Sequence, residues 1–265
     1  MMAARAIWTG DLHAGLSSVP VKLYAAVQDR SIRFHLLDRR TRTRVKQHMV
    51  KPDSGEEVPR EQIRRGLEVE PGTFVVLDDE ELQSLEPEPS RDIRVTRFVP
   101  TDRINHQWYD RPYFLGPGEN DASSYFALAE ALEKEVLEGV AEWVMRKKRY
   151  LGALRADGGY LLLVTLRNTE EVLLPQELPA VSGRAPDPRE LKMAEQLIAA
   201  LEDDFRPADF RDEYRDRVMD LIQAKARGEK PKLAKMPRRA PATALLGRLE
   251  ASLKAAKRTK GGAAA

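Results

Sequence analysis

The first third of the chain alternates between apolar and polar positions. Val19, Val21, Leu23 and Ala25 alternate with Pro20, Lys22 and Tyr24, and Ile32, Phe34 and Leu36 repeat the period of two. That period marks strands with one buried face. Residues 6–14 are short and apolar and precede a turn at Gly15, Ser17 and Ser18. Pro20 has no N–H for a sheet ladder, so it is expected on an edge strand or at a strand start. Residues 51–57 (KPDSGEE) read as a turn, Thr73–Leu77 as a strand and residues 79–85 as a short acidic helix stopped by Pro87 and Pro89. Ile93 and Val95, then Phe98 and Val99 after a shift, predict one more strand.

The pattern changes in the middle. Residues 105–118 are rich in aromatic and turn residues. Asn120 or Asp121 is suited to cap a helix carrying Tyr125, Leu128, Leu132 and Val136 on one face, with Gly139 as its stop. Residues 140–149 alternate again, Asp157-Gly158-Gly159 is a hairpin-type turn, and Tyr160–Leu166 is a continuous apolar run expected as a strand buried on both faces. The last third is helical. Asp187, Pro188 and Glu190 form a capping-box start for a stripe of Leu191, Ala194, Leu197, Ile198 and Leu201. Asp209 is expected to cap a second helix lined by Phe210, Tyr214, Val218, Leu221 and Ile222, closed by Gly228 with Pro231 after it. Beyond Glu229 only Leu245, Leu246, Leu249 and Leu253 keep an apolar spacing. Strands enclosing one helix, followed by a helical end, predict an α+β protein with a barrel-like sheet.

The 265 residues are 42% hydrophobic and 32% charged, enough for a sizeable core and too apolar for a wholly disordered chain. There is no cysteine, which rules out disulfides, thiolate metal sites and a thiol nucleophile, and suggests a reducing compartment. No apolar run is long enough to span a bilayer and no signal peptide is visible at the N-terminus. The net charge of +2 conceals an asymmetry. Residues 224–265 hold twelve Lys/Arg against two Asp/Glu, a net of +10, and the other 223 residues hold 32 basic and 40 acidic ones, a net of −8. An acidic body with a basic tail predicts a polyanion partner for the tail.

Enzyme chemistry finds little support. Neither G-x-x-x-x-G-K-[ST] nor G-x-G-x-x-G occurs, and no serine lies in a G-x-S-x-G context. His13, His35, His48 and His106 show no ligand spacing, so no metal or other cofactor is expected. The acidic groups at 78–81, 202–204 and 212–213 fall where helix starts, ends and faces are predicted, so capping and solvation account for them. The basic features are stronger. Arg40, Arg42, Arg44 and Lys46 occur at every second position. On a strand they would form a row about 6.6 Å apart on one face, suited to a nucleic-acid backbone. The plainer alternative is an edge strand charged against aggregation. Arg146, Lys147, Lys148 and Arg149 form a second cluster. Aromatic residues are only 6% of the chain, poor material for stacking single-stranded bases, and no recognition-helix motif is apparent. Sequence-independent binding to the duplex backbone remains.

Several segments resemble a known family. ARAIWTGDLHAGLSSVPVKLYAA (residues 4–26), YFALAEALEKEVLEGVAEWVMRKKRYLGAL (residues 125–154), GGYLLLVTLRNTEEV (residues 158–172) and the helical residues 190–230 are similar, in the same order and at comparable spacing, to the bacterial Ku proteins, relatives of the eukaryotic DNA-end-binding Ku heterodimer. The resemblance implies a Ku-type β-barrel core with a bridging arm, an inserted helix and a C-terminal helical arm. It implies a ring-shaped homodimer that threads duplex ends without sequence readout, slides inward and recruits an ATP-dependent DNA ligase in non-homologous end joining. It implies no enzymatic activity and a cytoplasmic, nucleoid-associated location. The corresponding division is a core with its bridge over 1–185, a helical arm for dimer packing over 186–228 and a basic tail over 229–265. By the same resemblance Lys22, Arg30, Arg33, Arg40, Arg42, Arg44 and Lys46 fall in the bridge over DNA, and Arg146, Lys147 and Arg149 fall where a barrel strand nears the hole. The tail contributes Lys230, Lys232, Lys235, Arg238, Arg239, Lys254, Lys257, Arg258 and Lys260 as DNA contacts, and residues 245–253 offer an alternative docking piece for the ligase. Some relatives carry cysteines in the segment matching residues 41–58. This chain has none, so a zinc ribbon is excluded there. The alternative reading is a general nucleoid or RNA-binding protein acting through its basic tail. An unrecognised nuclease is a further rival.

Overall fold

The computed structural model describes residues 4–119, 122–180, 183, 185 and 187–229. These fall in two compact units, Met1–Leu178 and Pro179–Ala265. The first unit is built on a closed barrel of seven strands: β1 (Trp8–Ala14), β2 (Ser17–Ala25), β5 (Asp92–Pro100), β6 (Tyr109–Pro117), β7 (Leu137–Met145), β8 (Lys148–Asp157) and β9 (Tyr160–Leu166). The order around the barrel is β1-β2-β6-β9-β8-β7-β5. All neighbours are antiparallel except the closing pair, where β1 runs parallel to β5 from Asp11↔Asp92 to Ala14↔Val95. Closure leaves no edge within the barrel.

The barrel interior follows the period of two. Leu12, Val19, Val21, Leu23, Ile93, Leu115, Leu154, Leu161 and Leu163 are all buried in one cluster. Helix α2 (Ala122–Glu135) packs chiefly on β8 and adds Tyr125, Ala129 and Leu132 to that cluster. The Tyr125 hydroxyl donates to the Leu115 carbonyl at 2.5 Å and accepts from the Leu161 N–H at 2.8 Å. It therefore ties helix, β6 and β9 together with no buried polar group left over at that point. Gly152 is needed for packing, because a Cβ there would lie 2.6 Å from the Trp143 ring.

Several expectations are corrected. Gly139 does not stop α2. The helix ends at Glu135, Val136 takes a positive φ of 55°, and Gly139 lies inside β7, where a Cβ would meet Val95 at 2.9 Å. Residues 105–118 are mostly the barrel strand β6. Its pattern is broken because Pro112 sits beside a register shift, the place a sheet tolerates proline. The shift expected between Val95 and Phe98 is a similar irregularity in β5. Pro20 is neither at an edge nor first in its strand. Its carbonyl accepts from Gly118, just past the last β2–β6 pair at Val21↔Pro117, so the missing N–H falls where that ladder has run out. The suggested caps Asn120 and Asp121 lie outside the described residues.

Residues 26–91 leave the barrel between β2 and β5. They hold two isolated bridges (Leu37↔Arg44 and Val50↔Glu57), the hairpin β3 (Arg65–Glu70) with β4 (Thr73–Leu77), and the helix α1 (Asp79–Ser84). Asp78 and Glu81 form a reciprocal capping box on α1, so these carboxylates are structural. The strand expected over Ile32, Phe34 and Leu36 is not formed. That segment is irregular, and Phe34 and Leu36 are exposed.

The second unit contains α3 (Pro188–Leu201) and α4 (Glu213–Ala226). Asp187 and Glu190 cap α3 as expected. Asp212, not Asp209, caps α4: its side chain accepts from the Arg215 N–H at 2.9 Å, while Asp209 ends a separate 3-10 turn. At the far end Gly228 (φ 78°) completes a Schellman arrangement, with Gly228 N–H to Lys225 and Glu229 N–H to Ala224 carbonyls. Leu191, Ile198 and Leu201 on α3, and Tyr214 and Ile222 on α4, remain exposed.

Candidate nucleic-acid interface

The excursion between β2 and β5 is the main candidate. No residue from 26 to 90 is buried, and all of them are described. A 65-residue stretch without a core of its own is an arm. Its charge is divided along its length. Residues 30–46 carry seven Lys/Arg and one acid, Asp38, a net of +6. Residues 66–90 carry eight carboxylates and no Lys or Arg.

The basic limb is not the strand that the Arg40–Lys46 alternation predicts. It is a turn. Asp38 N–H bonds the Thr43 carbonyl and Arg42 N–H bonds the Asp38 carbonyl, each at 2.9 Å. The Asp38 carboxylate accepts from the N–H groups of Arg40 (3.0 Å) and Thr41 (2.6 Å) and from the Thr41 hydroxyl (2.7 Å). These bonds, led by the one to the Thr41 backbone, hold the Asp38 carboxyl below its usual range. Arg42 has φ 58°, a left-handed conformation that an arginine adopts at a cost. A local side-chain lock has therefore overridden the period-two pattern. One consequence favours anion binding. The only acid in the limb is committed to the backbone, and Arg40, Arg42, Arg44 and Lys46 make no ion pair among the described residues. All four are exposed in or just beyond this turn rather than lined along one sheet face. Arg33 is also exposed and pairs with Asp29 at 3.4 Å, and Arg30 contacts Gln28.

The second cluster also turns out to be a turn. Arg146 (φ 50°) and Lys147 (φ 66°) are the two central residues of the β7–β8 hairpin, between Met145 and its partner Lys148. Two successive positive φ values are those of a type I′ turn, which favours Asn-Gly. Two long cations there sit in a conformation costly for both, and strain of this kind collects at functional sites. Arg146 and Arg149 make no ion pair among the described residues. Lys147 binds Glu86 at 3.0 Å and so ties the arm's return to the barrel. Lys22 is likewise occupied. It alternates with buried Val21 and Leu23, projects from the barrel and pairs with Glu119 at 2.8 Å, a bond that raises the lysine's pKa. Lys230, Lys232, Lys235, Arg238, Arg239, Lys254, Lys257, Arg258 and Lys260 lie outside the described residues, as does the 245–253 leucine set.

Reading by alternation missed five arm cations, Arg39, Lys51, Arg60, Arg64 and Arg65, all exposed. Their signal is the local charge count rather than any period. It also missed a charged group under the barrel's outer surface. Glu138 of β7 is fully buried, accepts from the Tyr109 hydroxyl at 2.6 Å and pairs with Arg155 at 3.4 Å. Burial, then the bond to Glu138, pushes the Tyr109 hydroxyl well above its ordinary pKa, so it stays protonated as the donor. This trio braces β6, β7 and β8. Among the described residues no His/Asp/Glu group could hold a metal ion, and no helix is long and apolar enough to cross a membrane.

A closed seven-stranded barrel, interrupted between its second and third strands by a long arm carrying a cluster of exposed cations, defines the class of this protein. Residues 13–193 match the family model for Ku, described as the Ku70/Ku80 beta-barrel domain. Non-homologous end joining protein Ku 2 of Geotalea uraniireducens is 40% identical over 256 residues, covering 96% of this chain and 99% of that protein. Non-homologous end joining protein Ku of Anaeromyxobacter is 37% identical over 257 residues, covering 96% and 87%. The Mycobacterium tuberculosis protein of the same name is 35% identical over 263 residues, covering 95% of each chain. The chain belongs to the Ku family.

Proposed function

We propose that this protein binds the ends of double-stranded DNA in non-homologous end joining, as a homodimeric ring that makes no chemical change to the DNA. The observation that carries this reading is the arm: 65 residues with no buried position, bearing cations that pair with no acid among the described residues. Such an arm has no folding role of its own, and its charge suits phosphates rather than bases. Two copies closing their arms around a duplex would admit DNA only at an end and let it slide inward. The exposed apolar stripes of α3 and α4 suit packing on the second copy. The basic tail adds DNA contacts, and the assembled end recruits an ATP-dependent DNA ligase, as the family resemblance implies. The reading places the protein in the cytoplasm, on the nucleoid.

The test is competition at fixed salt between linear duplex and the same sequence as a relaxed closed circle. Strong preference for linear DNA, on the order of one complex per end of a short duplex, is the expected result. Equal binding would leave the tail's charge as the whole explanation and return the protein to general nucleoid or RNA binding. Deletion after Gly228 separates the same two readings, since a clamp keeps end preference without the tail.

A further inference from the structure

The returning limb of the arm has a chemistry opposite to that of its basic limb. The hairpin β3–β4 leaves Leu67 and Val75, a cross-strand pair, exposed on one face and Phe74 and Val76 exposed on the other. A two-stranded sheet open on both faces is marginal in water by itself. It is also framed by carboxylates: of the eight in residues 66–90, six lie between Asp78 and Glu88. Glu68, Asp78, Glu81 and Glu86 are engaged locally, by the Gly72 N–H, the α1 cap and Lys147. Duplex DNA is repelled by such a surface, so its occupant must be basic and partly apolar. This chain supplies one. Residues 230–265 carry ten Lys/Arg and one acid, a net of +9 against −8 on the limb, with leucines at 245, 246, 249 and 253. Thirty-six residues span up to roughly 120 Å when extended, so reach is not limiting.

We propose that the β3–β4 sheet with the α1 carboxylates is a docking surface for the basic tail of a second copy, and that DNA and this surface compete for the tail. The second copy is the source because α4 leads into the tail and both α3 and α4 leave apolar faces exposed, so those helices packed on a partner would carry their tail with them. This step rests on the homodimer reading above. Docked tails would be withheld from non-specific DNA until an end is threaded, which would sharpen the discrimination between ends and duplex interior.

Zero-length carbodiimide cross-linking of the full chain at low salt tests this, with equal parts of nitrogen-15-labelled and unlabelled protein assembled together. The expected cross-links join Lys230, Lys232, Lys235, Lys254, Lys257 or Lys260 to Glu70, Asp79, Glu80 or Glu88. They should appear between labelled and unlabelled chains, and saturating linear duplex should reduce their yield at least tenfold. Tail cross-links scattered over other acids, or insensitive to duplex, overturn the docking. Links confined to chains of one label overturn the assignment to the second copy. A monomeric mass in the same sample by sedimentation overturns the homodimer reading itself, so the two failures are distinct. Changing Glu70→Gln, Asp79→Asn, Glu80→Gln and Glu88→Gln together spares the structural carboxylates. It should raise duplex affinity at least threefold more in the native chain than in one whose tail Lys and Arg are replaced by Gln. An equal rise in both would mean that the limb merely repels DNA, and would sink the proposal.

Discussion

Neutralising the cations of the Asp38–Lys46 turn is the sharpest test of the phosphate-binding assignment. Arg40, Arg42, Arg44 and Lys46 are exposed and unpaired among the described residues. The lock that shapes the turn uses the Asp38 carboxylate, backbone N–H groups and the Thr41 hydroxyl, so replacing all four cations with Gln leaves every bond of that lock in place. Glutamine is preferable to alanine at Arg42 because it keeps a long polar side chain at a position whose left-handed backbone is already set. If each cation neutralises one phosphate, each contributes about 0.9 to the slope of log affinity against log salt. A clamp touching about eight phosphates through each protomer has a slope near −7 per protomer, and the quadruple variant, altered in both arms, should fall to about −3.6 per protomer. At 0.1 M salt the same relation predicts a loss on the order of a thousandfold or more, equal on all sequences, because no base is read. Fluorescence anisotropy on short linear duplexes across a salt series measures both quantities. Amide resonances at positions 40 and 41 of the variant would verify that the turn survives. A variant with a native turn and an unchanged slope would refute the assignment.

Three further outcomes follow from the geometry. Replacing Arg146 with Asn and Lys147 with Gly supplies the residues that a type I′ turn favours. It should relieve about 1 to 2 kcal/mol of backbone strain per residue, less the exposed Lys147–Glu86 pair, and raise the thermal midpoint while weakening DNA binding. A lower midpoint would mean that the ion pair outweighs the strain. Gly152→Ala drives a Cβ to 2.6 Å from the Trp143 ring inside the barrel, so soluble yield and thermal midpoint should fall sharply, and near-native stability would show that the ring can move aside. The Asp38 carboxyl titrates below its usual range, so the folded turn binds its proton less readily than the unfolded chain does. The lock is therefore complete at neutral pH and is lost as pH falls below the ordinary carboxylate range, read as loss of hydrogen-exchange protection at Arg40 and Thr41. Protection that persists in acid would place the lock elsewhere.

Local chemistry was legible in the sequence wherever local chemistry decides. The capping box at Asp187 and Glu190, the Gly158-Gly159 turn and the Gly228 stop each depend on residues within one turn of one another, and each appears as expected. The errors arose where distant partners intervene. Gly139 resembles a helix stop until Val95 from another strand is seen against it. Residues 105–118 show aromatic and turn residues without a strand period, and β2 and β9 supply their hydrogen bonds across a register shift at Pro112. At Arg40–Lys46 the alternation suits a strand, but only the single Leu37↔Arg44 bridge pairs it, and the segment yields to a side-chain lock that satisfies several donors at once.

What the chain determined by itself was the inventory: strands with one buried face, capped helices, a cluster of cations in the arm, a basic tail and no cysteine, together with a family likeness strong enough to carry its function as an expectation. Tertiary structure decided which cations are available. Lys22 and Lys147 carry the same charge as Arg40 and Arg44, but folding brings Glu119 and Glu86 to the first two and no acid among the described residues to the others. Charge is a property of composition, while the free charge that meets a phosphate depends on what folding places within 3 to 4 Å of it. Only the folded chain brings residues 61 and 97 positions apart to that distance.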